Sequence, residues 1–282
     1  RLWHEVDWGT VNINSSSLAD AKSSKGKWFP YNKGGEFRKW AGNDDYLVNW
    51  FNDGEEIKHS VVNNPSDPNT THWSRRIFGV PYFFKESLTY SRISSGNFSV
   101  RYSKCGTIFS DASNGCFPSK NSFLYLAFLN SSVVSYFLNF LSPTINFMAG
   151  DIQKLPSPAL LIDAEAPTNI AMRAVEMAQA DWDMHETSWK FEEFILITEN
   201  GSLRIEEAWN GWAKHADQSL FRMKTVEEEI NRLFIEAYGL QDELSPEVPE
   251  DQITLTRADR EKDCQRLISY AIGCMMGRYS LD

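Results

Sequence analysis

The chain has 282 residues, of which 42% are hydrophobic, and its formal net charge is -10 at pH 7. This length and composition predict a globular protein with room for two domains, and the absence of repeats and low-complexity tracts excludes a repeat or disordered protein. The charge is unevenly divided, because residues 1–150 hold 15 Lys and Arg against 12 Asp and Glu, whereas residues 151–282 hold 13 against 26.

Up to about Gly150 the sequence is rich in aromatic and turn residues, with short alternating runs such as YLVNWF and GTIFSD. Such alternation predicts mixed strands with few helices. Positive charge is concentrated in two islands of this half. Residues 22–39 hold six basic residues against Glu36, and residues 71–104 hold six against Glu86. Clustered positive charge favours a polyanion as the partner.

The first island contains KWFPYNKGGEFRKW, which interleaves cations with aromatic rings. Nucleobases stack on aromatic rings, and phosphates pair with Lys and Arg. The candidate DNA contacts in this run are Lys27, Tyr31, Lys33, Arg38 and Lys39. An equally weighted alternative is that the rings belong to the core and the charges solvate its rim.

The second island contains a predicted β-hairpin, LTYSRISSGNFSVRYS, with Gly96-Asn97 as a two-residue turn. This register sets Ile93 opposite Val100 on an apolar face and Arg92 opposite Arg101 on the other face. Facing cations destabilise a strand pair, so we expect a group that accepts from both arginines to lie between them, either a phosphate or the O6/N7 edge of a guanine. The alternative is a buried Asp or Glu that bridges both arginines. The hydroxyl groups predicted on the arginine face are those of Tyr90, Ser94, Ser99 and Ser103.

After LPSP, residues 155–158, the sequence takes on helical periodicity. Thr225 and Glu228 form a capping box, and apolar residues recur on one face until Gly239 ends the predicted helix. Further helices are predicted over residues 168–180, 203–215 and 257–276.

Residues 121–150 carry no charge, and the run FLYLAFLNSSVVSYFLNFL is nearly long enough to span a bilayer. Asn and Ser residues interrupt it, so we expect a buried helix, or a strand and a helix, and no contact with a membrane.

The motifs of a nucleotide-dependent or zinc enzyme are not found, because GxGxxG, GxxxxGK[ST], HExxH and CxxC do not occur. We therefore expect no catalytic residue, metal ligand or cofactor within this chain. The four cysteines are predicted to be reduced and buried, and a bridge between Cys105 and Cys116 stays open. A minor alternative is a metal-dependent nuclease, because Asp45, Glu56 and Lys58 have the acidic, acidic and lysine spacing of such enzymes.

The chain resembles the C-terminal half of PglX-type adenine-specific DNA methyltransferases of BREX phage-exclusion systems. Nearly the whole chain takes part, through KWFPYNKGGEFRKW, GEEIK, TYSRISSGNFSVRYS, FLNSSVVSYFLNFLSPTINFMAGDIQKLP, YGLQDELSPEVPEDQITL and ISYAIGCMMGRYSLD. The run NFMAGDIQKLP also resembles the closing segment of target recognition domains in type I and type IIG restriction-modification proteins. In the PglX type, an N-terminal Rossmann-like domain with an AdoMet loop and an Asn-Pro-Pro-aromatic tetrad methylates adenine N6, and the following domain chooses the sequence.

This chain lacks the loop and the tetrad, so the resemblance implies that catalysis and AdoMet belong to the parent protein. Arg1 in place of Met and the lack of a signal segment predict an excised piece of a longer cytoplasmic protein. The resemblance implies an α+β fold with a target recognition domain over residues 1–156, closed by Gly150-Asp151-Ile152, and a truncated helical domain over residues 157–282.

We therefore predict a module for sequence-selective recognition of double-stranded DNA that is not itself an enzyme. The predicted DNA-facing cations are Arg75, Arg76, Arg92, Arg101, Lys27, Lys33, Arg38 and Lys39. The acidic half is assigned to protein contacts, either within the chain or with the methyltransferase domain of the parent and other BREX subunits. The rival prediction is an interaction scaffold, on which the basic islands dock acidic proteins such as DNA-mimicking phage inhibitors.

Overall fold

The computed structural model describes residues 1–94, 97–142, 144–161, 164–198 and 204–279. The strands are β1 Trp28–Asn32, β2 Leu47–Asn49, β3 Ser87–Ser91, β4 Val100–Ser103, β5 Ile108–Phe109 and β6 Ser113–Cys116. The helices are α1 Leu18–Ser23, α2 Phe51–Val62, α3 Ser122–Leu129, α4 Ser132–Leu141, α5 Ala149–Ile152, α6 Glu165–Asp183, α7 Ile195–Thr198, α8 Ile205–Tyr238 and α9 Arg260–Met275. The predicted α+β fold is confirmed.

The first sheet has the strand order β2-β1-β5 and mixed directions. β1 pairs antiparallel with β2, with Phe29 opposite Val48, and parallel with β5, with Tyr31 opposite Ile108. Apolar side chains on one side of this sheet form a small core of their own, in which Phe29 is fully buried. The sheet therefore holds the first basic island close to an aromatic cluster.

The second sheet has the antiparallel order β4-β3-β6, and its register differs from the predicted hairpin. Arg101 lies opposite Thr89, and Tyr90 lies opposite Val100. The prediction that Arg92 faces Arg101 is therefore wrong, because the observed register is shifted by three positions along β3. Because side chains alternate between faces, this odd shift also places Tyr90 on the face opposite to Arg101. Ser95 and Gly96, which belong to the predicted turn, lie outside the described residues.

Burial explains why the observed register is preferred. It buries Leu88, Tyr90 and Val100 to 1% exposure or less, whereas Ile93, which the predicted register would bury, is 61% exposed. After β3 the chain leaves β4, because the amide of Arg92 donates to the carbonyl of Ala112 and its carbonyl accepts from Phe147. The Gly96-Asn97 pattern is only a local signal for a turn. The pairing of β3 with β4 is determined by which side chains the core buries.

In the second half, α6 is longer than the helix predicted over residues 168–180, and α9 is shorter than the helix predicted over residues 257–276. One continuous helix, α8, replaces the two predicted helices, and Leu203 lies outside the described residues. The predicted capping box is wrong, because Thr225 is inside α8 and its hydroxyl donates to the carbonyl of Phe221. The predicted end is confirmed, since Gly239 closes α8 in the left-handed conformation, with φ of 67°.

One hydrophobic cluster joins the two halves of the chain. It contains Leu88 and Val100 of the second sheet, Leu126 of α3, Ala174 of α6 and Phe234 of α8. α3 packs against α6, and α4 packs against α8. The predicted boundary between residues 156 and 157 falls in the loop after α5, and this core continues across it.

The uncharged segment forms the two helices α3 and α4, of which α3 buries Leu124, Leu126 and Leu129. Among the described residues no single helix is long and apolar enough to cross a membrane. The pair α3 and α4 together has the length and composition of a membrane span, but the two helices are bent by 64° relative to each other. The four cysteines are free thiols. The prediction that they are buried is wrong for Cys105 and Cys264, which are exposed.

Candidate nucleic-acid interface

A cleft of about 1070 Å³ brings several of the predicted DNA contacts together. It collects Tyr31 of β1, Arg76, Tyr90 of β3 and Arg92, although these residues are far apart in the sequence. Most of its remaining lining comes from the segment 77–83, the β5–β6 region and the segment from Met148 to Pro158 that contains α5, and β2, Trp50, α2 and α3 contribute the rest. We call this feature the aromatic cleft.

Aromatic rings form a continuous row along the cleft. Centroid distances are 5.2 Å from Trp50 to Phe83, 5.2 Å from Phe83 to Phe109, 5.8 Å from Phe109 to Phe117 and 4.7 Å from Phe117 to Tyr82. Trp50 is 2% exposed and Tyr82 is 47% exposed, so the row runs from the core to solvent. The buried rings thereby fix the positions of the exposed ones.

A glycine is required beside this row. Gly79 has φ of 71°, and a Cβ atom there would lie 2.9 Å from the ring of Phe109. Any other residue would suffer both backbone strain and a clash with the ring. Beyond Gly79, Phe78 extends into solvent with 63% of its side chain exposed.

Polar groups line the same cleft. Burial raises the pKa of Tyr31, while the nearby hydroxyl of Ser110 opposes this shift. The amide of Asn114 donates to the carbonyl of Phe147 at 3.4 Å. Burial raises the pKa of the Cys116 thiol to about 11, so it is protonated at neutral pH and is a poor nucleophile. Arg92 is exposed at this cleft, with its backbone fixed on both sides.

Arg75 and Arg76 are exposed after the turn that begins at Asn64. Nε of Arg76 donates to Asp67 at 2.8 Å, and Nη1 of Arg75 donates to the carbonyl of Asn69 at 3.2 Å. Hydrogen bonds from Thr70 and Arg76 lower the pKa of Asp67, so its carboxylate stays charged and competes for Arg76. The ion pair with Asp67 therefore orients the exposed side chain of Arg76 at the cleft.

Lys27 and Lys33 flank β1 and are both exposed. The ammonium of Lys27 lies 5.8 Å from the ring centroid of Trp28, and that of Lys33 lies 4.8 Å from the centroid of Tyr46. The rings hold the aliphatic stems while the charges stay accessible. Ser94, the remaining accessible candidate, is half-buried and its amide donates to the carbonyl of Ile145.

The last two cations of the first basic island form ion pairs within the chain. Arg38 pairs with Asp181 of α6 at 3.3 Å and stacks over Trp182, 4.9 Å from its centroid. Lys39, with 8% of its side chain exposed, pairs with Glu227 of α8 at 2.6 Å. The assignment of Lys39 to a DNA-facing surface is therefore wrong, because the acidic half neutralises it within the chain.

Arg101 is 1% exposed, so its predicted DNA contact is also wrong in this conformation. Its Nη1 is 3.4 Å from the carbonyl of Arg38, and among the described residues its Nε and Nη2 have no hydrogen-bond partner. Burial lowers the pKa of Arg101 to about 10, while the nearby charge of Asp44 opposes this shift. The predicted carboxylate bridge between Arg92 and Arg101 is wrong because the two do not face each other, but Arg101 does have a carboxylate neighbour. The other buried members of the predicted site are Tyr90, Ser99 and Ser103.

The residues of the nuclease alternative have other partners. Lys58 pairs with Asp53 at 2.6 Å and lies over Trp73, while Glu56 accepts from the amide of Asn49. Within the described parts of the chain, no group of three or more His, Cys, Asp or Glu is placed to hold a metal ion.

The sequence reasoning missed the rings of the cleft. Phe78, Tyr82, Phe109 and Phe117 were not singled out, and neither was Asn114. One signal was available, because Phe78-Gly79 and Gly115-Cys116-Phe117 place a glycine beside an aromatic residue within or just after the second island. Their convergence depends on β5 and β6, which are too short to predict from a pattern.

No protein-family model matches the chain. The chain is 39% identical over 290 residues to the adenine-specific methyltransferase PglX of Lacticaseibacillus casei (strain Zhang), a match that covers 100% of this chain and 23% of that protein. It is 31% identical over 294 residues to the adenine-specific methyltransferase BrxX of Escherichia coli O9:H4 (strain HS), covering 98% of this chain and 23% of that protein.

The chain is therefore similar over its whole length to part of two adenine-specific methyltransferases, and it spans about a quarter of the length of these relatives. The resemblance of its motifs to the PglX type is confirmed.

Proposed function

We propose that this chain is the part of a BREX adenine-N6 DNA methyltransferase that recognises the DNA sequence. The observation that carries the proposal is the meeting of Arg76 and Arg92 at one aromatic cleft, in a chain whose relatives are adenine-specific methyltransferases. Arginine suits both functions that recognition requires, because it pairs with phosphates and also reads guanine in the major groove. AdoMet binding and catalysis are assigned to the rest of the parent protein.

The proposed DNA-binding surface is smaller than the sequence predicted. It comprises the exposed cations Arg75, Arg76, Arg92, Lys27 and Lys33, and it leaves out Lys39 and Arg101 because both are buried. The half-buried Arg38 is left out because it pairs with Asp181. Ser94 and Tyr31 supply hydroxyl groups beside these charges. The acidic helices serve this surface indirectly, by holding residues 38–40 in place through α6 and α8.

A salt titration of duplex binding tests the proposal. Each cation that neutralises one phosphate contributes about 0.9 to the slope of log K against log salt, so Arg92→Ala should reduce the slope by about 0.9. Arg76→Ala should reduce it similarly. The matched control is Arg222→Ala, which removes an exposed arginine from acidic α8 and should leave the slope unchanged. Equal slopes for Arg92→Ala and the wild type would contradict the assignment of Arg92.

The scaffold is retained as a second candidate because the helical half is strongly acidic and α9 presents exposed apolar residues, including Ile268 at 60% and Met275 at 83%. Under this alternative the chain binds other subunits of the defence system and no duplex. Absence of any salt-dependent duplex binding by the wild-type chain would favour it.

A further inference from the structure

The interior of the aromatic cleft offers more than a duplex contact requires. Phosphate contacts need only the exposed arginines, yet the whole cleft has a volume of about 1070 Å³. It is lined by rings that increase in exposure from Phe83 to Tyr82. Pockets of this kind, mostly apolar with a few polar groups, are typical of sites for small planar ligands. The cleft exceeds the usual range for one small molecule, so a ring can enter together with its attached sugar and phosphate.

The charge distribution narrows the class of ligand. Arg76 and Arg92 lie at the cleft and Asp111 is the one acidic residue in its lining, so among the described lining residues positive charge is in excess. A purely apolar peptide would gain nothing from two arginines, whereas a nucleotide offers a ring for the aromatic row and a phosphate for the cations. Ser110 and Asn114 are within the same lining and can hydrogen bond the polar edge of a base.

We infer that the aromatic cleft binds one unstacked nucleobase of the DNA, with its phosphate at Arg76 and Arg92. The inference rests on the proposed function and adds to it a pocket for a single base. The base stacks on Tyr82, at the exposed end of the row, and on Phe78, which lines the same cleft, while Trp50 and Phe83 keep the row rigid. Because unstacking a paired base costs a few kcal/mol, a base that is already unpaired enters more easily.

The experiment compares three DNA probes at one salt concentration. These are a fully paired duplex, the same duplex with one bulged nucleotide, and the same duplex with a bulged abasic nucleotide. The wild-type chain should bind the bulged nucleotide at least about 5-fold more tightly than the abasic bulge, which has the same backbone but nothing to stack. The double variant Phe78→Ala with Tyr82→Ala should lose about 5-fold to 150-fold in affinity for the bulged base, which corresponds to the loss of a base–aromatic stack.

The control is Phe221→Ala, since Phe221 is 72% exposed on α8 and distant in sequence from the cleft. It should leave all three affinities unchanged. Equal binding of the base and the abasic bulge, or a preference that survives the double variant, would overturn the inference while salt-dependent duplex binding still supports the proposed function. If the wild type binds none of the three probes, both proposals fail.

Discussion

The buried ion pair between Lys39 and Glu227 gives a sharp test of how the two halves are joined. Its nitrogen and oxygen are 2.6 Å apart, and the side chains are 8% and 3% exposed. The second carboxylate oxygen accepts from the indole of Trp40 at 2.8 Å. One carboxylate of α8 therefore satisfies two neighbouring residues of the first basic island. We predict that Lys39→Ala destabilises the fold and leaves the salt dependence of DNA binding unchanged.

The magnitude follows from what each change leaves behind. Lys39→Ala leaves the Glu227 carboxylate buried with the indole as its remaining donor, and breaking a buried pair in this way costs about 3 to 5 kcal/mol. Glu227→Gln keeps an acceptor for Trp40 but leaves the ammonium without a counter-charge, so a similar loss is expected. The double change Lys39→Met with Glu227→Gln removes both charges and should lie within about 2 kcal/mol of the wild type. A total stability of about 5 to 15 kcal/mol makes these differences easy to resolve.

The assay is urea unfolding followed by tryptophan fluorescence, and the single variant Lys39→Met is measured as well, so that Lys39→Met and Glu227→Gln form a closed double-mutant cycle. Lys224→Ala is the matched control, because Lys224 pairs with Glu228 on the same helix at 3.9 Å with much greater exposure. It should cost about 0 to 1 kcal/mol. The reasoning is refuted if Lys39→Ala costs less than about 1 kcal/mol, or if the folded variant loses about 0.9 of the salt slope, as a phosphate-binding lysine would.

Three further predictions concern single residues. Asp67→Asn should tighten DNA binding, because it removes the carboxylate that holds Arg76, and unchanged affinity in a binding titration would contradict this. Asp44→Asn should stabilise the protein at pH 8 and give little or no gain at pH 4. Burial raises the pKa of Asp44 in the folded protein to about 7, whereas its pKa in the unfolded chain is near 4. The stability that the protonated carboxyl group contributes is therefore fully present below pH 4 and is lost as the pH rises through 7. Melting temperatures across this range check the sign, and a gain that is equal at both pH values would show that Asp44 does not titrate as described. Asn130→Ala should cost about 1 to 3 kcal/mol in chemical denaturation, since the side-chain amide of Asn130 pairs with both backbone groups of Val100 at 2.9 Å and its loss removes a partner from the buried N–H, while the carbonyl keeps its bond from the amide of Trp40 at 3.0 Å; a cost under about 1 kcal/mol would mean that water replaces it.

Local patterns predicted what local chemistry controls. The end of α8 at Gly239 was predictable, because a glycine in the left-handed region is a cap that depends on few neighbours. The start was not, because Thr225 and Glu228 fit a capping box equally well inside a long helix. The register of β3 and β4 failed for a related reason: Gly96-Asn97 is a turn signal, yet the burial of Leu88 and Tyr90 outweighs it.

The candidate site was only partly predictable, because charge alone does not reveal a partner. Lys33 and Lys39 are alike in the sequence, but Lys33 is exposed and lies over the half-buried ring of Tyr46, whereas Lys39 pairs with the carboxylate of Glu227, 188 positions later. Arg76 and Arg92 are exposed, as a DNA contact requires, although Arg92, like the buried Arg101, was selected from a strand pairing that does not form. Long-range contacts of this kind leave no periodic trace in a single sequence.

The hydrophobic cluster contains residues from both sides of the boundary between residues 156 and 157. If this chain recognises DNA as proposed, the cluster limits how a new DNA specificity can arise. An exchange of residues 1–156 between two relatives would transplant α3 and α4 away from the α6 and α8 surfaces that evolved with them. Such a chimaera would need compensating changes on both helices before it folded well. By contrast, Phe78, Tyr82 and Arg92 are exposed and can vary one at a time without disturbing that core. Under the proposed function, DNA specificity would therefore change more easily by point substitution at the cleft than by recombination in the loop after α5.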